Sequence, residues 1–136
     1  KVTLPLAAQE ADIWNNPAGS QTRLEENISN LYQSMYSVNR QIEEIIISQQ
    51  WLVAIAPTEE ESVPMIELAQ RIFGTHMGDP VGPLAITGTP ERVIEQITKH
   101  IDLGCSMFMI EFFGTDTKVP AQLFAEKVMP YFRKDQ

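Results

Sequence analysis

The stretch Trp51-Leu52-Val53-Ala54-Ile55-Ala56 is apolar throughout and is stopped by Pro57. A short run of strand formers without polar alternation reads as a strand buried on both faces, as in a parallel sheet. Parallel strands cannot be joined by tight hairpins and need crossover connections, most often helices. The chain around this run has to supply them. Just upstream, Ile45-Ile46-Ile47 fits either an extension of the strand or a short helical turn.

Helical patterns lie on both sides. Thr22-Arg23-Leu24-Glu25 has capping-box spacing, and Leu24, Ile28, Leu31 and Met35 then recur on one helical face, running to about Val38. Thr58-Glu59-Glu60-Glu61 repeats the capping pattern. Pro64 disfavours helical geometry at Val63, which moves the expected start of that helix towards Ser62. Its buried face is Met65, Leu68, Ala69 and Ile72. Gly74 to Gly88 is rich in Gly and Pro and reads as a long loop. Gly88-Thr89-Pro90-Glu91 opens the next helix, with Thr89 at the N-cap, Pro90 at the first helical position and Glu91 at the positive dipole end. Val93, Ile94, Ile97 and Ile101 mark its core stripe, and Gly104 ends it. Met107 to Phe113 is a strongly apolar strand. A last helix from about Pro120 to Phe132 packs Phe124, Val128 and Tyr131.

Near the start, Ala11-Asp12-Ile13-Trp14-Asn15 reads as a short strand bounded by Asn16-Pro17-Ala18-Gly19. The chain opens on apolar residues with neither Met nor a cap, which reads as entry partway through a helix of a larger protein. Alternating strands and helices define an α/β unit with right-handed crossovers. Residues 1–136 are expected to form a single partial domain. Three strands neither close a barrel nor cover both faces of an open sheet. The core is therefore expected to need more chain or a partner, and the unit to self-associate as a homo-oligomer.

Composition excludes several functions. Ten Lys and Arg against eighteen Asp and Glu leave a formal charge of −8. Such a surface repels nucleic-acid phosphates and anionic lipids, so no nucleic-acid or membrane partner is expected. No apolar run approaches the ~20 residues of a membrane span, and no signal-peptide pattern is seen. The single cysteine, Cys105, allows no internal disulfide. A cytoplasmic protein is the expectation. His76 and His100 are too far apart for recognisable metal-ligand spacing, so no metal is expected.

Several stretches, taken in order, resemble the bacterial luciferase-like monooxygenase family. Leu6-Ala7-Ala8-Gln9-Glu10-Ala11-Asp12-Ile13-Trp14-Asn15 looks like that family's helix-to-strand segment. Thr87-Gly88-Thr89-Pro90-Glu91-Arg92-Val93-Ile94, followed by Asp102-Leu103-Gly104-Cys105 and Met107 to Phe113, looks like its Gly-Thr-Pro-Glu helix leading into the last barrel strand. Arg40-Gln41-Ile42-Glu43-Glu44-Ile45 and Thr58-Glu59-Glu60-Glu61 fall between them where the family has similar text. The resemblance implies the C-terminal part, about strands six to eight, of a TIM (β/α)8 barrel, which when complete needs ~250 residues. It further implies a flavin- or deazaflavin-dependent oxidoreductase or monooxygenase, using FMN or the deazaflavin coenzyme on a small-molecule substrate. In some relatives a basic residue on a mobile loop before the Gly-Thr-Pro-Glu motif covers the flavin phosphate. The corresponding stretch here, Met77 to Pro83, has no Lys or Arg.

Barrel active sites lie at the carboxyl ends of the strands. Those ends here are Trp14-Asn15, Ala56-Pro57 and Phe113-Gly114-Thr115-Asp116. The resemblance puts Trp14 and Asn15 against cofactor or substrate, the indole as a wall and the amide as a hydrogen-bond partner; they are equally the core and the start of a turn. Glu111 is a carboxylate inside an apolar strand, where burial would favour its neutral form, or else it forms a buried ion pair. Phe113 closes the same strand. Gly88 and Thr89 could present helix N–H groups to an anion, although a plain helix start explains them too. No residue stands out as the catalytic base, which leaves open a second reading, a non-catalytic barrel relative used for assembly.

Overall fold

The computed structural model describes residues 3–73 and 85–133. Helix α1 (Thr3–Glu10) leads to strand β1 (Ile13–Asn16). A 3-10 turn, Ala18–Arg23, precedes α2 (Leu24–Ser37), and a second, Ile42–Glu44, precedes β2 (Ile46–Ile55). Then come α3 (Glu59–Phe73), β3 (Ala85–Gly88), α4 (Pro90–Asp102), β4 (Met107–Phe112), α5 (Lys118–Lys127) and the short α6 (Met129–Phe132).

All pairings in the four-stranded sheet are parallel, and β2 is its axis. Strand β4 lies along one edge of β2, pairing with Ser48 to Val53. β1 and β3 share the other edge end to end, β1 on Ile46 to Gln49 and β3 on Leu52 to Ile55. The strand expected over Trp51 to Ala56 is thus longer, and it takes in Ile46 and Ile47. Strand β3 was expected to be loop. It is only four residues of a Gly- and Pro-rich stretch, and it exists because β1 stops short and leaves the upper edge of β2 open to it.

Because side chains alternate along a strand and registered neighbours point the same way, the sheet has two distinct faces. One carries Trp51, Val53 and Ile55, with Phe108, Ile110 and Phe112 beside them. It packs on Val93 and Ile97 of α4 and Phe124 of α5. Lower on the same face, Ile47 and Trp14 meet Leu24, Ile28, Leu31 and Met35 of α2. This is the helix-covered side and holds most of the core.

Several local devices differ from expectation. Thr22 lies inside the 3-10 turn and Arg23 is the N-cap of α2, without a side-chain cap; Arg23 instead pairs with Glu26 at 3.0 Å. The second capping pattern does form, with the Glu61 N–H donating to Thr58 Oγ1 at 3.2 Å. Helix α3 starts at Glu59 and carries Pro64 within it. Pro64 falls early in the helix, where it removes one backbone bond without stopping the turn. The last helix is two, because Pro130 cannot donate to the chain one turn back. Tyr131 is accordingly 53% exposed rather than packed, while Phe124 and Val128 are buried. Helix α4 ends as its sequence suggests. Gly104, at φ 100°, donates to the Ile101 carbonyl at 2.8 Å, and Cys105 donates to the His100 carbonyl at 3.1 Å. That is the double bond of a Schellman motif.

Candidate functional site

The second face of the sheet carries Ile13 and Asn15 of β1, Ile46, Ser48, Gln50, Leu52 and Ala54 of β2, and Met107, Met109 and Glu111 of β4. Its upper end is roofed by α3, where Met65, Leu68 and Ala69 pack on Leu52, Ala54 and Phe113. Below that roof no described layer covers it: Ile13, Ile46 and Met109 are 43%, 43% and 42% exposed. Four apolar side chains on three neighbouring strands (Ile13, Ile46, Met107, Met109) make a contiguous apolar patch, which normally marks an interaction or ligand surface.

The sequence-predicted residues distribute over this geometry unevenly. Asn15 lies on the open face, its Oδ1 accepting from Ser48 Oγ at 3.1 Å. Trp14, one residue away, points to the other side and packs with the α2 cluster. Adjacent strand residues face opposite ways, so the pair does not converge. Glu111 is on the open face with Asn15, two residues below Phe113. It is exposed, because nothing described covers that part of β4, and so the burial expected to favour its neutral form is absent. Phe113 is buried beneath α3, its N–H donating to the Val53 carbonyl at 2.8 Å.

Gly88 and Thr89 sit apart from that face, at the top of β3 and the start of α4. Gly88 has φ 114°, and its carbonyl accepts from the Ala56 N–H at 3.1 Å, tying β3 to the end of β2. Thr89 is the N-cap and Pro90 follows at the first turn. The Glu91 backbone N–H, and then the Thr89 hydroxyl, hold the exposed Glu91 carboxyl below its ordinary value. This helix end already has an anion of its own. Across it, Arg92 Nε meets Glu59 Oε1 at 2.8 Å, joining the starts of α3 and α4. His76 and the stretch Met77 to Pro83 lie outside the described residues.

Polar residues not singled out in the sequence line the middle of β2. Asn16 is buried and fully satisfied: Nδ2 donates to Gln49 Oε1 at 2.7 Å and to the Ser20 carbonyl at 3.1 Å, and Oδ1 accepts from Asn27 at 3.0 Å. Ser48, Gln49 and Gln50 are a polar triplet inside an otherwise apolar strand. That interruption was the signal that could have found them. Ser48 joins Asn15 on the open face, while Gln49 locks Asn16 on the other.

Two hollows complete the picture. A groove of about 290 Å3 lies at the carboxyl end of β4 between α3 and α5, lined by Met65, Leu68, Gly114, Asp116, Val119 and Pro120 among others. An apolar cavity of about 400 Å3 lies on the helix side, between α4 and α5, against Trp51 and Phe108. Burial pushes the Cys105 thiol at its edge up to about 11, far from a reactive thiolate. Among the described residues, no group of three or more His, Cys, Asp or Glu could hold a metal ion, and no helix is long and apolar enough to cross a membrane.

Neither a family model nor a curated protein matches the chain. Solved structures do. A coenzyme F420-dependent tetrahydromethanopterin reductase from Methanopyrus kandleri superposes with a TM-score of 0.73 at 16% identity, over 97% of this chain and 48% of that one. A monooxygenase from Streptomyces bottropensis gives 0.71 at 17% identity, over 95% and 44%. EDTA monooxygenase from Chelativorans sp. BNC1 gives 0.72 at 13%, over 96% and 41%. The chain spans less than half the length of each. At these identities the likeness is one of fold: a parallel α/β unit with the architecture of part of a TIM barrel.

Proposed function

We propose that this chain is the C-terminal half of a luciferase-like flavin- or deazaflavin-dependent oxidoreductase, and that its open sheet face walls the cofactor and substrate. The observation that supports this most is the fold likeness over nearly the whole chain, together with the stretch of sheet below α3, on the side away from α2, α4 and α5, that no described residue covers. In a TIM barrel that side is the interior, and the reacting groups gather at its carboxyl end. When bound, FMN or the deazaflavin coenzyme would supply the redox chemistry. The chain's own part is to shape and orient. Glu111, near the carboxyl end of β4, offers a carboxylate and the Asn15–Ser48 pair offers amide and hydroxyl groups, while Ile46, Met107 and Met109, towards the amino ends of β2 and β4, form the apolar interior below them.

The experiment is a titration of the complete protein with FMN and with the deazaflavin coenzyme separately, followed by quenching of tryptophan fluorescence. Saturable quenching by one and not the other supports the reading and names the reaction type, oxygen activation or hydride transfer. Quenching by neither contradicts it. The open apolar face also favours a second reading, an assembly domain without catalysis. On either reading that face drives homo-oligomer formation by the 136-residue chain. Light scattering should find a particle larger than one chain, and Met109→Glu should return it towards the monomer.

A further inference from the structure

We propose that Asn16, Gln49 and Asn27 are positioning residues: their linked amides fix the register of β1 on β2 and so decide that Asn15, not Trp14, faces the open side of the sheet. That this side holds a ligand rests on the reading above; the register itself does not.

Strand β1 reads Ile13-Trp14-Asn15-Asn16, two apolar residues and then two amides. Each face therefore receives one apolar side chain and one amide: Ile13 and Asn15 on the open side, Trp14 and Asn16 towards α2. A one-residue slip carries every side chain of a strand to the other face. Here it would exchange the two pairs and leave that balance as it was, so the hydrophobic pattern does not choose between the registers. The amides do. Asn16 is buried across from Gln49, and its Nδ2 donates to Gln49 Oε1 at 2.7 Å and to the Ser20 carbonyl at 3.1 Å. Asn27 of α2 donates to its Oδ1 at 3.0 Å. Gln49 is buried too, and its Nε2 donates to the Gln50 carbonyl at 2.6 Å. A one-residue slip would put Asn16 opposite Ser48 or Gln50, on the other face. A two-residue slip would put it opposite Ile47 or Trp51, whose side chains offer no acceptor to its Nδ2. A buried amide stripped of its partner costs the full desolvation of that group, whereas a fully satisfied network specifies one arrangement. On the open side the same register sets Asn15 beside Ser48, whose buried hydroxyl donates to Asn15 Oδ1 at 3.1 Å. The Asn15 atom left for a ligand is Nδ2, a donor.

The test is methyl NMR of the complete protein carrying 13C-methyl Ile and Leu, with Ile13 assigned by Ile13→Val. It changes the partners and leaves β1 as it is. In Gln49→Met with Asn27→Ala a second Ile13 signal should appear, with nuclear Overhauser contacts to Ile28 and Leu31 of α2, because the slip turns Ile13 to the side Trp14 held. If that variant does not fold, Gln49→Met alone should give a smaller fraction of the same signal. Adding Asn16→Leu to the double variant should return a single Ile13 signal without those contacts, since β1 then carries two apolar residues towards α2 and the pattern alone sets the register. The titration with FMN and the deazaflavin coenzyme reads the consequence. The double variant should lose about tenfold in affinity for whichever cofactor quenches. Asn15→Ala should lose a similar factor, and the two together no more, because the amides act through Asn15. A single unmoved Ile13 signal in whichever variant folds overturns the proposal. So does a second signal that survives Asn16→Leu, or additive losses of affinity. If neither cofactor binds, the functional reading falls and the Ile13 signal still decides the register; if a cofactor binds and Ile13 does not move, the register proposal alone falls.

Discussion

Trp51 and Phe108 stack across the β2–β4 pair with ring centroids 4.2 Å apart and planes 12° from parallel. Trp51 is fully buried and also meets the edge of His100 at 4.9 Å, so three elements lock on one indole. Its Nε1 has no hydrogen-bond partner. The side chain is therefore held by packing alone. Trp51→Ala should cost about 3–5 kcal/mol of unfolding free energy, read by urea denaturation. Trp51→Phe should cost less, because it keeps most of the apolar contact and removes the unpaired N–H.

His100 gives the fold a pH dependence of definite sign. Burial lowers its pKa, and the bond between Nδ1 and the Gln96 carbonyl opposes this only in part. With a folded pKa below the unfolded value of about 6.5, the unfolded chain takes up the proton first. The contribution is fully present above about pH 7 and is lost as pH falls through the unfolded pKa towards the folded one. Thermal unfolding between pH 7.5 and 5.5 should show a falling midpoint, with a shallower fall in His100→Gln.

Gly88 is strained for any other residue. At φ 114° a side chain is disfavoured by the backbone itself, and a Cβ would also come within 3.1 Å of Arg92 Cδ. Gly88→Ala should destabilise by about 1–3 kcal/mol in a denaturant melt. The backbone conformation stays the same whatever stands at 92, so Gly88→Ala combined with Arg92→Gly, measured against Arg92→Gly alone, should recover little of that loss. Full recovery would mean side-chain crowding, not backbone strain, sets the cost.

Much of the architecture was legible because it depends on local pattern. The run from Trp51 to Ala56 implied a parallel sheet, and the stripe Leu24, Ile28, Leu31, Met35 is the buried face of α2 as read. What could not be read depends on partners. Four residues, Ala85 to Gly88, become a strand only because β1 ends at Asn16 and frees the edge of β2. Thr22 has the spacing of a cap, yet the chain enters α2 through a 3-10 turn. Glu111 looked buried from its neighbours in sequence, but exposure is decided by what covers a face, and the described residues leave that face bare. For Trp14 and Asn15 the alternation of a strand already implied that only one could turn to the open side. Which one was settled by the register of Trp14 with Ile47 and Asn15 with Ser48.

On the proposed function, the open face of this sheet borders the cofactor at its carboxyl end. In the 136-residue chain Met107 and Met109 are 36% and 42% exposed on that face, Met109 the nearer to the carboxyl end, with fully buried Met35 as the internal reference. Thioether oxidation by dilute peroxide follows exposure and is read residue by residue by mass spectrometry. In the complete protein, saturating FMN or the deazaflavin coenzyme should slow oxidation of Met109, and to a lesser degree Met107, relative to Met35. Unchanged rates at both methionines with either cofactor at saturation would mean that this face does not border the cofactor.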